Sequence, residues 1–412
     1  MESAPTMLVY FFVYISLYFQ VFLLVTFFEK RESIKKEEED ILSLRRYPST
    51  TIIVPCFNEE RTVVKTIRSL LSLDYPKYKL NIVIVDDGST DNTWNVVKRF
   101  GKYPQIKLLQ KPNGGKHTAL NYALANIETE LVGCLDADSF VEKYTLKKIV
   151  KYFEESDVMA VTPAIKLYKP THIIELVQNV EYMLGIFFRK MLGTMDAIQV
   201  TPGPFSIFRK KVFNDLGPYK KAHNTEDLEI AFRMHESHYR IVNSHKAFVT
   251  TVAPKTLKSL YKQRLRWVHG FLENALDYKH LFLRRKYGNF GMFMLPAAVV
   301  SIFSAIYLVG FTIFQLIQYI YDKSVQVRAI GLPTDYFSFD LFFFNTQTLL
   351  FLSIILIVMA IAMIVVGKII AEDTKRSPMD IVYFLALYGL IVPSWLFMSV
   401  YNTVLSKKNS WR

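Results

Sequence analysis

Residues 131–139 read Leu-Val-Gly-Cys-Leu-Asp-Ala-Asp-Ser, and this stretch decides how the surrounding chain is interpreted. Its apolar first half predicts a buried strand, which ends abruptly at Asp136 and Asp138. Two ionised carboxylates beside an apolar strand are costly to desolvate, so a bound cation is a common reason for such a pair. Oxygen ligands of this kind suit Mg²⁺ or Mn²⁺. The simpler alternative is that both residues only form a turn or cap a helix.

The composition indicates a membrane protein with a soluble middle. Of the 412 residues 51% are hydrophobic, and these concentrate before residue 29 and after residue 289. The formal net charge of +13 suits an anionic membrane surface or a phosphate-bearing substrate. Nucleic acid is not expected as a partner, because no base-reading motif accompanies the basic residues. Cys56 and Cys134 are expected to be buried free thiols in a reducing compartment.

The hydropathy pattern divides the chain into five segments. They are an N-terminal transmembrane helix (1–29), a connector (30–49), a cytosolic α/β domain (50–255), interfacial helices (256–288) and a C-terminal membrane region (289–412). The first segment lacks the basic start and the cleavage site of a signal peptide. Lys30 and Arg31 follow it directly, which favours a cytosolic catalytic domain on a multi-pass protein of the plasma membrane.

The C-terminal region contains about three further spans. Each of its apolar segments is long enough to cross the bilayer: Phe290–Tyr321, Leu341–Ile370 and Ile381–Leu405. Four spans in total would place Lys407, Lys408 and Arg412 outside, against the usual distribution of positive charge. The alternative is that one of the segments is re-entrant or interfacial, so the number of spans stays open.

The middle of the chain alternates between strand and helix patterns. Strands are predicted at Thr51–Phe57, Asn81–Val85, Gln105–Leu109 and Glu130–Leu135, with helices from Asn58 to about Leu73, at 91–100 and at 116–127. This alternation predicts a parallel sheet whose ligands lie beyond the carboxyl ends of the strands. Asn58, Asp87 and the Asp136/Asp138 pair fall at such ends. A later amphipathic segment, Thr171–Met195, predicts a helix either buried against this domain or lying on the cytosolic leaflet.

A glycine turn leads into one of these helices. Residues 111–121 read Lys-Pro-Asn-Gly-Gly-Lys-His-Thr-Ala-Leu-Asn, with Lys116 at the junction. Free backbone amides, the helix dipole and a lysine together would attract a diphosphate, although a solvated lysine after a simple turn is the alternative. A dinucleotide-binding dehydrogenase is disfavoured, because no Gly-x-Gly-x-x-Gly turn follows the first strand.

Six motifs in order resemble glycosyltransferase family 2, over about residues 50 to 270. They are Pro55-x-x-Asn58-Glu59, Asp86-Asp87-Gly88-Ser89-x-Asp91, Gly114-Gly115-Lys116-x-x-Ala119-Leu120-Asn121, Asp136-x-Asp138, Thr225-Glu226-Asp227 and Gln263-Arg264-Leu265-Arg266-Trp267. The last two, placed between membrane segments, are similar to the polysaccharide synthase branch, which makes cellulose, chitin, hyaluronan and poly-N-acetylglucosamine. The resemblance implies an α/β GT-A nucleotide-sugar domain joined to transmembrane and interfacial helices.

The resemblance also implies roles for the acidic residues. Asp87 would read the uracil or ribose of a UDP-sugar, and its role could be exchanged with that of Asp86. Asp138, helped by Asp136, would hold Mg²⁺ or Mn²⁺ against the diphosphate. Asp227 would be the general base that takes a proton from the acceptor hydroxyl. The alternative for Asp227 is an acid in the first turn of a helix, where the dipole favours it.

The remaining motif residues would bind substrate. Gln263 and Arg266 lie one helical turn apart and would contact the diphosphate, with Arg264 beside them, while Trp267 would form a platform for the acceptor sugar. This helix could instead be a basic amphipathic helix at the lipid headgroups. The other substrate-binding residues by resemblance are Asn58, Glu59, Lys116 and Glu226.

These features predict an inverting, metal-dependent glycosyltransferase that moves a sugar from a UDP donor to a growing β-linked polysaccharide. Poly-N-acetylglucosamine is the leading product. The alternatives are a non-processive enzyme that glycosylates a membrane lipid, and an inert membrane channel or scaffold. Since four spans offer little wall for a sugar channel, an accessory membrane subunit or a homo-oligomer is also expected.

Overall fold

The computed structural model describes residues 4–39, 43–331, 348–373 and 378–406. Three parts of the sequence interpretation therefore lie outside the described residues. These are the basic C-terminal residues Lys407, Lys408 and Arg412, the beginning of the segment predicted at 341–370, and part of the connector.

Within the described residues, four helices are long and apolar enough to cross a membrane. They are α1 (Ala4–Glu39), α10 (Leu295–Ile330), α11 (Thr348–Ile370) and α12 (Met379–Val404). This agrees, by length and composition, with the four predicted spans. Helix α1 continues into the predicted connector, because the charged stretch that follows the span is rich in good helix formers and has no glycine or proline to end it.

In the part of the chain that the structure describes, eight strands form one mixed sheet. They are β1 (Thr50–Cys56), β2 (Leu80–Asp86), β3 (Ile106–Gln110), β4 (Leu131–Cys134), β5 (Ser139–Val141), β6 (Val158–Leu167), β7 (Ile207–Arg209) and β8 (Arg240–Thr251), in the order β3-β2-β1-β4-β7-β6-β8-β5. The prediction of a parallel sheet is correct for β3, β2, β1 and β4. No strand is predicted beyond these four, and there β7 pairs antiparallel with both β4 and β6, while β6 and β8 pair in parallel.

The junction between these two halves depends on a glycine in β4. A Cβ atom at Gly133 would lie 2.2 Å from Ile207 Cδ1 and 2.9 Å from Ile52 Cδ1. Only a residue without a side chain lets the two isoleucines fill the space above this strand. The antiparallel strand β7 can therefore lie directly beside the strand that leads to Asp136.

Helices cover both faces of the sheet. One face packs against α2 (Val63–Leu71), α3 (Thr93–Lys98) and α5 (Thr145–Val150); the other packs against α4 (Lys116–Leu124), α7 (Lys210–Leu216) and α8 (Glu226–Glu236). The prediction that the first helix begins at Asn58 is wrong. Asn58 has a φ of 58°, in the left-handed region, so the helix starts only at Val63 after a turn.

Helix α6 (Ile173–Thr194) lies between the sheet and the membrane helices. Its apolar side chains, among them Met183 and Phe187, form one cluster with Ala164 of β6, Leu23 of α1 and Met363 of α11. This confirms the predicted amphipathic helix. The helix packs against the sheet on one side and against the long apolar helices α1 and α11 on the other.

Gly367 of α11 marks the closest approach of these elements. A Cβ atom there would lie 2.4 Å from the backbone oxygen of Met183. We expect Gly367→Ala to push α11 away from α6 and to lower the thermal midpoint of the purified protein, at a cost of about 1–3 kcal/mol. Gly389→Ala is the matched control, since nothing lies within 4 Å of a Cβ atom at that position in α12. Equal midpoints for the two variants would contradict this packing.

Candidate active site

Three predicted site segments meet at one edge of the sheet. Asn58 follows β1, Asp86 and Asp87 end β2, and Asp136 and Asp138 follow β4. Because these strands are parallel neighbours, their carboxyl ends bring the five side chains to the same edge. This placement agrees with the sequence prediction.

Asp86 and Asp87 have different surroundings. Asp86 is fully buried, and its carboxylate accepts hydrogen bonds from Gln110 Nε2 at 3.0 Å and from the Ser89 amide at 3.3 Å. The Asp87 carboxylate is bound by Lys111 Nζ at 2.6 Å and by the Gly115 amide at 2.8 Å. Asp86 therefore holds the strand ends together, whereas Asp87 fixes the glycine turn.

This arrangement changes the expectation for the glycine turn. The amides of Gly114 and Gly115, which the sequence offers to a diphosphate, are bound by Asp87 in this structure. The lysine beside Asp87 is Lys111, a residue that the sequence analysis does not single out. Its position directly after β3, at the same sheet edge, is the signal that could have identified it.

Asn58 and Glu59 organise the loop after β2. The Asn58 side-chain oxygen accepts hydrogen bonds from the Thr90 amide at 2.8 Å and the Asp91 amide at 3.4 Å. The Glu59 amide donates to Thr93 Oγ1 at 2.8 Å. The left-handed conformation of Asn58 thus aims its amide group at the loop that carries Asp87.

An ion pair crosses the centre of the site. Lys116 Nζ lies 2.6 Å from Asp136 Oδ1 and 3.3 Å from Glu226 Oε1. Burial lowers the pKa of the Lys116 ammonium, but the charges of Asp136 and Glu226 outweigh it and leave that pKa well above its usual value. Gly203 passes directly over this pair, since a Cβ atom there would lie 2.5 Å from Lys116 Nζ. Lys116 therefore stays charged and connects two of the predicted motifs.

Asp138 lies where negative charge accumulates. Desolvation and the charges of Asp136 and Glu59 raise the pKa of Asp138 to about 7, although the Ser139 hydroxyl donates to it at 3.1 Å. Within the described residues, no three acidic, histidine or cysteine side chains form a complete metal site. Two carboxylates suffice for Mg²⁺ or Mn²⁺ when phosphate oxygens and water supply the other ligands. The unfavourable charge at Asp138 fits a divalent cation of this kind.

Asp227 lies in the first turn of α8, where the charges of Lys116 and Arg266 act on its carboxylate. Desolvation and the charge of Glu226 raise the pKa of Asp227 to about 6, while Lys116 and Arg266 act to lower it. The Asp227 backbone oxygen accepts hydrogen bonds from the Thr201 amide at 3.0 Å and its hydroxyl at 2.8 Å. A carboxylate with this pKa is mostly ionised at pH 7 and is basic enough to accept a proton.

Helix α9 (Leu257–Asp277) carries the last motif and divides its arginines between two tasks. The Arg264 guanidinium is buried and donates to both carboxylate oxygens of Glu181 on α6, at 2.9 and 2.6 Å. It also donates to Gln263 and lies 4.3 Å from the centroid of the Trp267 ring. Arg264 thus links α9 to α6, while the charge of Arg266 acts on Asp227 and the Trp267 ring is 38% exposed.

Residues 51–217 match the family model described as Glycosyl transferase family 2. This part of the chain is a glycosyltransferase family 2 domain. A solved mannosyltransferase from Pyrobaculum calidifontis, in complex with GDP-Man and Mn²⁺, superposes on this chain with a TM-score of 0.58. It is 17% identical and covers 96% of this chain and 99% of its own, so the similarity shows the fold and confirms the predicted α/β GT-A class.

Two relatives of the glycosyltransferase are named poly-β-1,6-N-acetyl-D-glucosamine synthase. The one from Staphylococcus epidermidis is 27% identical over 402 residues, covering 94% of this chain and 89% of the relative. The one from Staphylococcus aureus strain COL is 28% identical over 293 residues, covering 70% of each chain. Similarity to the first extends well beyond the family domain, into the membrane helices.

Proposed function

We propose that this glycosyltransferase is a membrane-embedded, inverting enzyme that transfers a sugar from a UDP-sugar to a growing β-linked polysaccharide. The observation that carries the proposal is Asp227, whose carboxylate has a raised pKa and lines the same small cavity as Lys116 and Glu226. The names of the relatives support poly-N-acetylglucosamine as the product.

The proposed step is a single displacement at the anomeric carbon. Asp227 accepts the proton of the acceptor hydroxyl while that oxygen forms a bond to the anomeric carbon. The bond from this carbon to the diphosphate oxygen breaks, UDP leaves with the electron pair, and the configuration inverts. Arg266 and Lys116 supply positive charge on the side where the diphosphate gains negative charge.

Asp138 and Asp136 would hold the Mg²⁺ or Mn²⁺ ion. A divalent cation there would offset the charge on the departing diphosphate. In the structure Lys116 forms an ion pair with Asp136. When donor and cation bind, this lysine would leave the carboxylate and pair with the diphosphate instead. Asp86, Asp87, Asn58 and Glu59 lie at the edge of the sheet where the nucleotide would bind.

The proposal places the domain at the cytosolic face of the plasma membrane. Helix α12 contacts α9 directly, where the Ser399 hydroxyl donates to the Leu265 backbone oxygen at 3.4 Å. The predicted acceptor platform, Trp267, is on the same helix. A polymer leaving Trp267 would therefore start beside a membrane helix, and an accessory subunit or a second copy would complete the path across the bilayer.

A panel of radiolabelled donors tests the proposed function. Purified protein in liposomes receives UDP-N-acetylglucosamine, UDP-glucose, UDP-galactose or GDP-mannose with Mg²⁺ or Mn²⁺, and the products are separated by size. Polymer from UDP-N-acetylglucosamine is expected. A single-sugar lipid would show instead a lipid glycosyltransferase, and no transfer from any donor would show an inert channel or scaffold.

Removal of divalent cations gives a second test. We expect EDTA to abolish transfer, because without a cation bound to Asp136 and Asp138 no positive metal charge balances the departing diphosphate. Mn²⁺ or Mg²⁺ in excess over the chelator should restore the activity. The control is EDTA already loaded with the same cation, Mn²⁺ or Mg²⁺, which adds the chelator without removing the ion. Full activity in EDTA after extensive dialysis would show that the metal role is wrong.

A further inference from the structure

Asn274, on α9, makes an unusual set of contacts beside the active site. Its side chain is fully buried, and Nδ2 donates to Thr225 Oγ1 at 3.0 Å and to the Gly270 backbone oxygen at 2.7 Å. Its Oδ1 atom is buried without a hydrogen-bond partner in the part of the chain that the structure describes. A residue that only filled this space would be apolar, because an unpaired buried carbonyl is costly.

Thr225, which accepts the hydrogen bond from Asn274, directly precedes the acids Glu226 and Asp227. Thr225 is the residue before Glu226, and its hydroxyl donates to the Ala222 backbone oxygen at 2.9 Å instead of capping α8. The three residues that lead to Thr225 all have left-handed φ values of 42°, 54° and 65°. Residues with side chains rarely adopt this conformation, so the segment depends on outside contacts to keep its shape.

The contacts come from one face of α9. Arg266, Gly270 and Asn274 follow each other at intervals of four residues and so lie on one face of the helix. A Cβ atom at Gly270 would lie 2.6 Å from Thr225 Oγ1, so the helix backbone touches Thr225. This face therefore carries both a predicted diphosphate ligand and the contacts that hold the start of α8.

A second contact fixes the next turn of α8. The Tyr278 hydroxyl donates to Glu229 Oε1 at 2.6 Å, and both side chains are buried. Further along, His280 contacts Glu236 at 2.7 Å at the exposed end of α8. Side-chain hydrogen bonds therefore join α8 along its whole length to α9 and to the residues that follow α9. Of these three hydrogen bonds, the one from Asn274 is the nearest in sequence to Asp227.

We propose that Asn274 is a positioning residue for the transfer reaction, resting on the function proposed above. By holding Thr225 against α9, its amide keeps Asp227 at a fixed distance from Arg266, so that the base and the diphosphate ligand face the same donor. Loss of this contact lets the first turn of α8 shift while the donor pocket at the sheet edge stays intact. Transfer should then slow more than donor binding weakens.

The test compares Asn274→Leu, which keeps the branched shape of the side chain and removes the donor, with His280→Ala, which removes the contact at the far end of α8. Both are assayed for polymer synthesis across pH, for UDP affinity by calorimetry and for thermal midpoint. We expect Asn274→Leu to lower kcat by about 10–100-fold, with KM for the UDP-sugar and UDP affinity within about twofold and the acid limb of the pH profile displaced. His280→Ala should match the wild type.

Two further variants keep the test decisive if Asn274→Leu does not fold. Gly270→Ala separates α9 from Thr225 by a different route and should show the same loss of kcat with unchanged donor affinity. In the double variant with Thr225→Val, Asn274→Leu should add little further loss, since both changes remove the same hydrogen bond.

The possible results separate the positioning role of Asn274 from the proposed function. A fully active Asn274→Leu, or one whose donor affinity falls in parallel with its kcat, overturns the positioning role while the proposed function stands. A wild type that transfers no sugar from any donor overturns the proposed function and this inference with it.

Discussion

Asp227→Asn lowers the rate of sugar transfer by roughly 10²–10⁴-fold while UDP binding stays close to that of the wild type, because the amide cannot accept the proton of the acceptor hydroxyl. The substitution keeps the size of the side chain and its backbone contacts with Thr201, so the fold should not change. Polymer synthesis in liposomes and UDP calorimetry measure the two quantities. The control is Asp215→Asn, which replaces an exposed carboxylate on α7 and should leave the transfer rate unchanged.

The pH dependence follows from the same carboxylate. Burial and Glu226 raise the pKa of Asp227 to about 6, and only its ionised form can act as a base. We therefore expect kcat to be high above this pH and to fall tenfold per unit as pH drops below it. An active, folded Asp227→Asn enzyme with an unchanged pH profile would show that another group takes the proton.

Asp138→Asn should be the second most damaging substitution. The wild-type pKa of about 7 reflects desolvation and the repulsion between Asp138, Asp136 and Glu59, which a divalent cation would relieve. Removing one carboxylate costs several kcal/mol of charge stabilisation, which is about 100-fold or more in rate. Because the cation is bound together with the nucleotide, we also expect weaker Mn²⁺ binding in the presence of UDP, measured by electron paramagnetic resonance.

A matched variant distinguishes metal binding from general damage to the sheet edge. Asp86→Asn removes a charge from a neighbouring buried carboxylate whose hydrogen bonds come from Gln110 and Ser89. It should lower stability and nucleotide affinity without a specific loss of Mn²⁺. If Asp138→Asn bound Mn²⁺ and UDP as the wild type does, the metal role would belong to other residues.

The sequence was sufficient to predict the edge of the sheet at which the acids meet. Asp87 and the Asp136/Asp138 pair end parallel strands, and strand direction alone brings such ends together. The antiparallel pairing of β7 with β4 and β6 could not be predicted in this way, since β7 is only three residues long. Short strands carry too little pattern to show their direction.

Ion pairs within the site were also beyond sequence reasoning. Arg264 and Glu181 are 83 residues apart, and nothing in either segment indicates the other. The same holds for Asn274 and Thr225, which are 49 residues apart. The motif that contains Arg264 predicts a charged face on α9, but only the packing of α6 decides which arginine is used for structure and which faces Asp227.

The position of α6 has a practical consequence for handling this protein. Met183, Ile186 and Phe187 fall inside the limits of the family domain, yet they pack against Leu23 and Met363 of the membrane helices. A fragment limited to the sheet domain would present these side chains to water and would be prone to aggregate. Enzymology on this catalyst therefore needs the full chain in detergent or lipid, and the choice of detergent is expected to affect the geometry around Asp227 through α6 and α9.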